Sequence, residues 1–317
     1  MQMKIDLPSP DSPLKIGTRG SPLALAQAYE TRQRLMVAFD LPEEAFAIIV
    51  IKVTGDAIQD RPLKEIGGKG LFTREIEEDL LANKIDIAVH SMKDMPVLQP
   101  EGLVLDTYLP REDPRDAFVS PSKSALSELD ENAMVGTSSL RRKAQLLHAR
   151  PDLSVVEFRG NVQTRLRKLH DGVAECTFLA MAGLNRLGLK DVPATPIDTD
   201  AMLPAVAQGA IGIERRSGDT RIAQLLEPIH DSLTGQQLAA ERAFLTTLDG
   251  SCETPIAGLA ELEGGTLRLR GEVLRPDGSE RIHDEASVPV EDGAALGRAM
   301  ARNLLQRAGP GFFDWHQ

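Results

Sequence analysis

Leu14-Lys15-Ile16-Gly17-Thr18-Arg19-Gly20-Ser21-Pro22-Leu23-Ala24-Leu25-Ala26-Gln27-Ala28 is the stretch on which the fold turns. An apolar run with strand character ends in the polar turn Thr18-Arg19-Gly20-Ser21, and a helical pattern follows with Pro22 at its first position. Ser21 is placed to cap that helix, whose apolar face includes Leu23, Ala26 and Ala28. Strand, polar turn and helix in that order make the βα unit of a parallel sheet.

The unit recurs along the chain. Residues 47–53 end in Thr54-Gly55-Asp56, the loop Gly67-Gly68-Lys69-Gly70 opens a helix over about 73–83, and residues 85–90 end in Ser91-Met92-Lys93-Asp94. After the turn-rich residues 110–116 the pattern restarts, which marks passage into a second domain. Residues 134–136 form a strand, and Thr137-Ser138-Ser139 cap a helix with Leu140, Ala144 and Leu147 on one face, expected to pack inward. The same periodicity sets Arg141 and Arg142 in the first turn, away from the apolar stripe. Residues 153–158 then lead through Arg159-Gly160-Asn161 into a helix with Val162, Leu166 and Leu169 inward, closing at Asp171-Gly172. Residues 177–181 make a further buried strand, followed by a segment ending at Arg186. From Thr254 the texture changes to alternating runs separated by Glu263-Gly264-Gly265 and Pro276-Asp277-Gly278, the signal of an antiparallel sheet. A helix over 236–248 and the loop Asp249-Gly250-Ser251-Cys252 precede it.

At 317 residues the chain exceeds what one core usually serves, so two or three domains are expected. Aromatics make up only 4%, so burial rests on Leu, Ile, Val and Ala. No apolar run is long enough to span a membrane, and the polar, proline-rich opening lacks the apolar core of a signal peptide, which gives the expectation of a cytoplasmic protein. Cys176 and Cys252 are far apart, with neither a disulfide framework nor zinc-ligand spacing, and no metal is expected. Asp249 and Glu253 flank Cys252 and disfavour a thiolate there, while His90 and Cys176 fall in apolar strand contexts and read as core residues.

Charge is distributed unevenly. Between Thr137 and Leu169 eight basic residues stand against two acidic ones, a local +6 in a chain of net charge −11. In open parallel sheets ligands bind beyond the carboxyl ends of the strands, where free N–H groups at helix starts favour anions and arginine offers a planar pair of donors. On this fold Arg19, Lys69, Lys93, Arg141, Arg142, Arg159, Arg165 and Arg186 are expected to converge on one cleft. The glycine loop 67–70 matches neither a Walker motif nor the dinucleotide fingerprint. A nucleic-acid surface would need stacking aromatics in the basic segment, where Phe158 stands alone. A solute-binding module would use the same bilobal cleft but normally carries a signal or lipid anchor. Asp94 lies among these cations as a carboxylate able to stabilise developing positive charge and to carry a proton, or to serve simply as a helix cap.

Arg19-Gly20-Ser21-Pro22-Leu23-Ala24, Gly67-Gly68-Lys69-Gly70-Leu71-Phe72 and Val89-His90-Ser91-Met92-Lys93-Asp94 occur in that order. Arg111-Glu112-Asp113-Pro114-Arg115-Asp116-Ala117-Phe118, Gly136-Thr137-Ser138-Ser139-Leu140-Arg141-Arg142 and Phe158-Arg159-Gly160-Asn161-Val162 follow, then Leu203-Pro204-Ala205-Val206 and the Cys252 loop. Together they resemble the porphobilinogen deaminase (hydroxymethylbilane synthase) family along nearly the whole chain. The resemblance implies an α/β protein of three domains. Two are lobes like type II periplasmic binding proteins with mixed sheets, over 13–110 plus 209–228 and over 111–208. The third is a small α/β (α+β) C-terminal domain with an antiparallel sheet over 232–317, which attaches the cofactor.

By that resemblance the protein is a monomeric, cytoplasmic transferase of tetrapyrrole (haem- or chlorophyll-type) biosynthesis. It joins four porphobilinogen molecules head to tail, releases ammonia and yields the linear hydroxymethylbilane, with no nucleic-acid or membrane partner. A dipyrromethane cofactor held by a thioether to Cys252 primes it. Asp94 is the implied catalytic carboxylate. Lys69, Ser91, Lys93, Thr137, Ser139, Arg141 and Arg142 are the implied cofactor contacts with Asp94. Arg19, Ser21, Phe72, Arg159, Arg165, Arg186 and Gln208 are the implied substrate contacts, and residues 56–68 the implied lid. The chain departs from the family pattern where Glu65, with Lys64 beside it, replaces a second lysine, and where Gln163, Ala207 and Ser251 occupy glycine-like positions.

Overall fold

The computed structural model describes residues 5–57, 73–248, 254–309 and 311–314. The chain divides into two compact units, residues 1–111 with 210–235 and residues 112–209 with 236–317. The expected α/β class holds: two five-stranded mixed sheets, one in each unit, and a three-stranded antiparallel sheet. Among the described residues no helix is long and apolar enough to cross a membrane.

In the first unit β1 (Leu14–Arg19) lies between β2 (Phe46–Ile51) and β3 (Ile87–Ser91), parallel to both. The sheet is extended past β3 by an antiparallel strand from far along the chain, β10 (Ile211–Arg216), and then by β4 (Leu103–Tyr108). Helix α1 (Pro22–Phe39) follows β1, and Ser21 caps it as the sequence predicts, its Oγ accepting from Ala24 N at 3.2 Å. Leu14, Ile16, Ala28, Leu35, Ile87, Val89, Ile211 and Ile213 form one core of this unit. On the other face of the sheet the core is Ile51, Ile85, Ala88 and Leu103, joined by Ile76 and Leu80 of α3 (Arg74–Leu81); α2 (Thr54–Ala57) is a single turn.

Gly212 of β10 pairs with His90 and Tyr108, and a methyl group there would overlap Met92 Sδ and Leu105 Cδ2. Met92 is 1% exposed and begins the turn that carries Asp94, so β10 meets that turn where only glycine fits. Gly212→Ala is expected to lower unfolding stability by about 1–3 kcal/mol through overpacking, measured as a shift in the urea midpoint.

The second unit repeats the plan. Its β6 (Met134–Gly136) is parallel to β7 (Ser154–Val156) and to β8 (Cys176–Ala180), and β8 is followed outward by antiparallel β5 (Asp116–Val119) and then β9 (Ala194–Pro196). In both sheets the antiparallel neighbour is the first strand the chain enters after passing between the units. Helices α4 (Leu140–Ala149), α5 (Val162–His170) and α6 (Met181–Arg186) follow β6, β7 and β8.

This unit also holds the sheet β11 (Ile256–Glu263), β12 (Thr266–Leu274) and β13 (Arg281–Pro289) with α9 (Gly293–Ala308). Helix α7 (Thr220–Leu226) belongs to the first unit, and α8 (Ser232–Thr247) starts four residues earlier than its apolar pattern indicates. The earlier start comes from Asp231, whose Oδ1 accepts from Thr234 N at 2.7 Å and so caps the helix.

Candidate functional site

In the first unit the carboxyl ends of β1 and β3 and the first turns of α1 and α3 border a small pocket. Arg19, Ser21, Thr73, His90, Ser91 and Asp94 line it. The strand ends deliver Arg19 and Ser91, and a 3-10 turn over Met92–Asp94 carries Lys93 and Asp94 outward. Arg19 Nη1 lies 3.8 Å from Asp94 Oδ2, longer than a direct charge-assisted hydrogen bond, and both side chains remain partly open to solvent. Ser91 is held from the side: its Oγ accepts from Gln27 Nε2 at 2.8 Å and donates to Gln27 Oε1 at 3.1 Å. Met92 N donates to Ala210 O at 3.0 Å, which ties the turn to the start of β10.

In the second unit the candidates other than Gln208 fall at two helix starts and one helix end. Ser139 caps α4, accepting from Arg142 N at 3.4 Å, while Thr137, buried, accepts from Ser139 N at 3.2 Å. Around Gly160 the backbone takes φ +120°, and an added Cβ would strike Thr164, so glycine sets the geometry between Arg159 and the α5 cap Asn161. Arg165 Nε donates to Gly160 O at 2.9 Å, and Arg186, at the end of α6, donates from Nη2 to Gly209 O at 3.0 Å.

Arg141 and Arg142 are placed differently from the sequence expectation. The buried face of α4 is Arg141, Arg142, Ala144, Gln145 and Leu146, while Leu140 and Leu147 are half-buried. The cause is Asp116, a wholly buried carboxylate on β5. Arg142 donates to its Oδ1 from Nε at 3.2 Å and from Nη2 at 2.7 Å, and Arg141 Nη2 lies 2.8 Å from its Oδ2. Burial works against ionisation of Asp116, but Arg141 and Arg142 together outweigh it and hold the carboxyl well below the usual carboxylate range. Arg141 Nη1 also donates to Gln145 and to Leu203 O, and Arg142 Nη1 to Phe178 O. Gln208, 1% exposed, donates to Asp116 Oδ1 at 2.9 Å and Pro114 O at 2.8 Å. Asp116 is therefore the residue on which three expected site side chains converge. The sequence signal for it was a lone acid opening the apolar strand Asp116-Ala117-Phe118-Val119, which can be buried only beside cations.

Three guanidinium donors in this unit, Arg141 Nε, Arg159 Nη1 and Arg270 Nε, are buried without a hydrogen-bond partner among the described residues, and two of them, on Arg141 and Arg159, stand at βα junctions. Both belong to junctions expected to hold carboxylates, and an orphaned cationic donor is what a bound anion would satisfy. The acetate and propionate groups of a dipyrromethane fit them in charge and in hydrogen bonding. Lys69, Phe72 and Cys252, with Lys64, Glu65 and most of the expected lid, lie outside the described residues. Cys176, the free cysteine of β8, is buried, and burial foremost pushes its thiol up to about 12, so it is unreactive at neutral pH.

Comparison with known proteins gives the chain a family. The family model described as porphobilinogen deaminase, dipyromethane cofactor binding domain, matches residues 14–224, and that described as porphobilinogen deaminase, C-terminal domain, matches 236–306. A curated porphobilinogen deaminase of Paracoccus denitrificans (strain Pd 1222) is 66% identical over 309 residues, covering 98% of this chain and 99% of that one. Among solved structures, the BvgS periplasmic VFT2 domain of Bordetella pertussis is 15% identical with a TM-score of 0.40, over 73% of this chain and 92% of the other. A putative methionine-binding lipoprotein of Bacillus subtilis subsp. subtilis str. 168 is 11% identical with a TM-score of 0.41, over 71% and 93%. Likeness at that level carries no inference about this chain. The two family models and the relative identical at two positions in three decide the matter: the chain belongs to the porphobilinogen deaminase family.

Proposed function

We propose that the chain condenses porphobilinogen head to tail with loss of ammonia to give hydroxymethylbilane, and that Asp94 is its catalytic carboxylate. The observation that carries this reading is the placement of Asp94 beside Arg19, 3.8 Å apart, at the carboxyl ends of β1 and β3. A carboxylate at the reacting carbon stabilises the cationic pyrrole left when ammonia departs, and then removes the α-proton after carbon–carbon bond formation. The guanidinium beside it offers two parallel donors to a pyrrole acetate or propionate.

Arg19, Ser21, Arg159, Arg165, Arg186, Gln208 and Phe72 serve the substrate. Lys69, Ser91, Lys93, Thr137, Ser139, Arg141 and Arg142 serve the cofactor. In that scheme Arg141 and Arg142 contribute the N–H groups not already engaged by Asp116 and backbone carbonyls. When bound through Cys252, the dipyrromethane supplies a primer and a covalent anchor for the growing chain. Residues 13–110 with 209–228, residues 111–208 and residues 232–317 are the three domains of this scheme, working as a cytoplasmic monomer.

The test is the intact mass of the purified protein beside Cys252→Ala, Cys252→Ser and Cys176→Ala. The parent and Cys176→Ala are expected to carry the added mass of a dipyrromethane, and both Cys252 variants to lack it. An unmodified, fully active parent would defeat the proposal.

A further inference from the structure

Beneath the turn that carries Asp94 lies a buried ionisable group to which the scheme above gives no role. His90 Nε2 is 3.2 Å from Glu214 Oε2, with side chains 4% and 0% exposed. Glu214 stands on β10 opposite Ala88, two residues before His90 on β3, so both side chains share the sheet face covered by α3. From α3 comes Glu77, whose carboxyl burial pushes up; Glu214 adds to the push, while Thr73, His90 and Arg74 oppose it. The second oxygen of Glu214, Oε1, is buried without a hydrogen-bond partner among the described residues. A carboxylate in that position depends on the one donor it has. His90 is also among the residues that line the pocket shared by Arg19 and Asp94. The charged and titratable groups around His90 are therefore Glu214 of β10 and Glu77 of α3, with Arg19 of β1 and Asp94 of the following turn in the shared pocket.

We propose that His90 is a positioning residue for Asp94: by satisfying Glu214 it fixes the end of β3 and keeps a buried carboxylate from competing with Asp94 for Arg19. The contact at stake is a loose one, since Arg19 and Asp94 stand 3.8 Å apart. A pair at that distance is displaced by a competing acid more readily than a bidentate one, and His90 is the residue that both lines the pocket and holds Glu214. The inference rests on the role given to Asp94 above and adds two residues that touch neither substrate nor cofactor in that scheme.

Steady-state kinetics of the cofactor-loaded enzyme with porphobilinogen test it. His90→Leu is expected to lower kcat at least about tenfold with KM changed less than about threefold, the split left by lost positioning with binding retained. His90→Gln keeps an N–H for Glu214 and should stay within about threefold of the parent in kcat. Adding Glu214→Gln to His90→Leu removes the unsatisfied charge and should recover kcat to within about threefold, a coupling that general loosening of the fold would not produce. Glu214→Gln alone, which needs no folding of the leucine variant, should cost less than about threefold. The proposal is overturned by a folded His90→Leu with near-parental kcat, by a loss that Glu214→Gln does not reverse, or by a tenfold loss in Glu214→Gln alone. Failure of the underlying reading shows separately, as an Asp94→Asn enzyme that stays active whatever happens at His90.

Discussion

Asp116→Ala is expected to destabilise the second unit by about 3–5 kcal/mol, the usual cost of stripping one partner from a buried ionic group. The carboxylate is wholly buried, and Arg141 and Arg142 each direct a guanidinium at it. Removing it leaves two buried cations facing each other without the carboxylate they share, and Gln208 with Pro114 O but no longer Asp116 to accept from it. Asp116→Asn should fall between, since a carbonyl oxygen still accepts from Gln208 and one arginine. Urea unfolding followed by circular dichroism reads both. The sign with pH is fixed by the depressed carboxyl. Its ordinary value is 3.8 and the folded value lies well below, so its stabilisation is complete above that pH. It fades as acid takes the pH below 3.8 toward the folded value. In the Asn variant that acid-side loss should be smaller than in the parent. A variant as stable as the parent at neutral pH, with an unchanged acid limb, would remove Asp116 as the centre of this cluster.

That cluster also marks where reading the sequence met its limit. The βα units were legible because an apolar run, a polar turn and a helical pattern coincide, and Ser21 and Ser139 cap as that reading expects, while Asn161 adds a cap the reading had left as part of a turn. The two hairpin turns of the third sheet were legible for the same reason, with Glu263-Gly264-Gly265 joining β11 to β12 and Pro276-Asp277-Gly278 joining β12 to β13. Periodicity failed on α4 because it assumes that apolar side chains decide which face is buried. There an acid on another strand decides it. Asp116 draws in Arg141 and Arg142, and Glu272 of β12 takes Gln145 Nε2 at 2.5 Å, so two buried carboxylates outweigh the stripe of Leu140 and Leu147. No local pattern carries that information, since the partners are 26 and 127 residues away. His90 shows the converse: it reads correctly as a buried strand residue, but Glu214, 124 positions along the chain, becomes its neighbour only when β10 returns to the first sheet.

Asp94→Asn is expected to lower kcat by about 10²–10⁴ while leaving KM for porphobilinogen within a few fold. The substitution keeps the size and planarity of the side chain and its carbonyl oxygen, so Arg19 retains an acceptor and the pocket its shape. On the role proposed for Asp94, it abolishes the negative charge that favours a cationic pyrrole over its neutral precursor, and the lone pair basic enough to take the α-proton. Those are transition-state interactions, which is why the loss belongs in kcat. Asp94→Glu separates charge from placement. The carboxylate remains but moves outward by one methylene on a turn that Met92 and Gly212 hold without slack, and a misplacement of about 1 Å is enough for a loss near 10². Single-turnover mixing with porphobilinogen, monitored by the mass of the enzyme-bound pyrrole chain, distinguishes a slow bond-forming step from slow product release. The Asp94→Asn enzyme should add its first pyrrole slowly, and elongation at the parental rate with the amide in place of the carboxylate would assign the chemistry to another group.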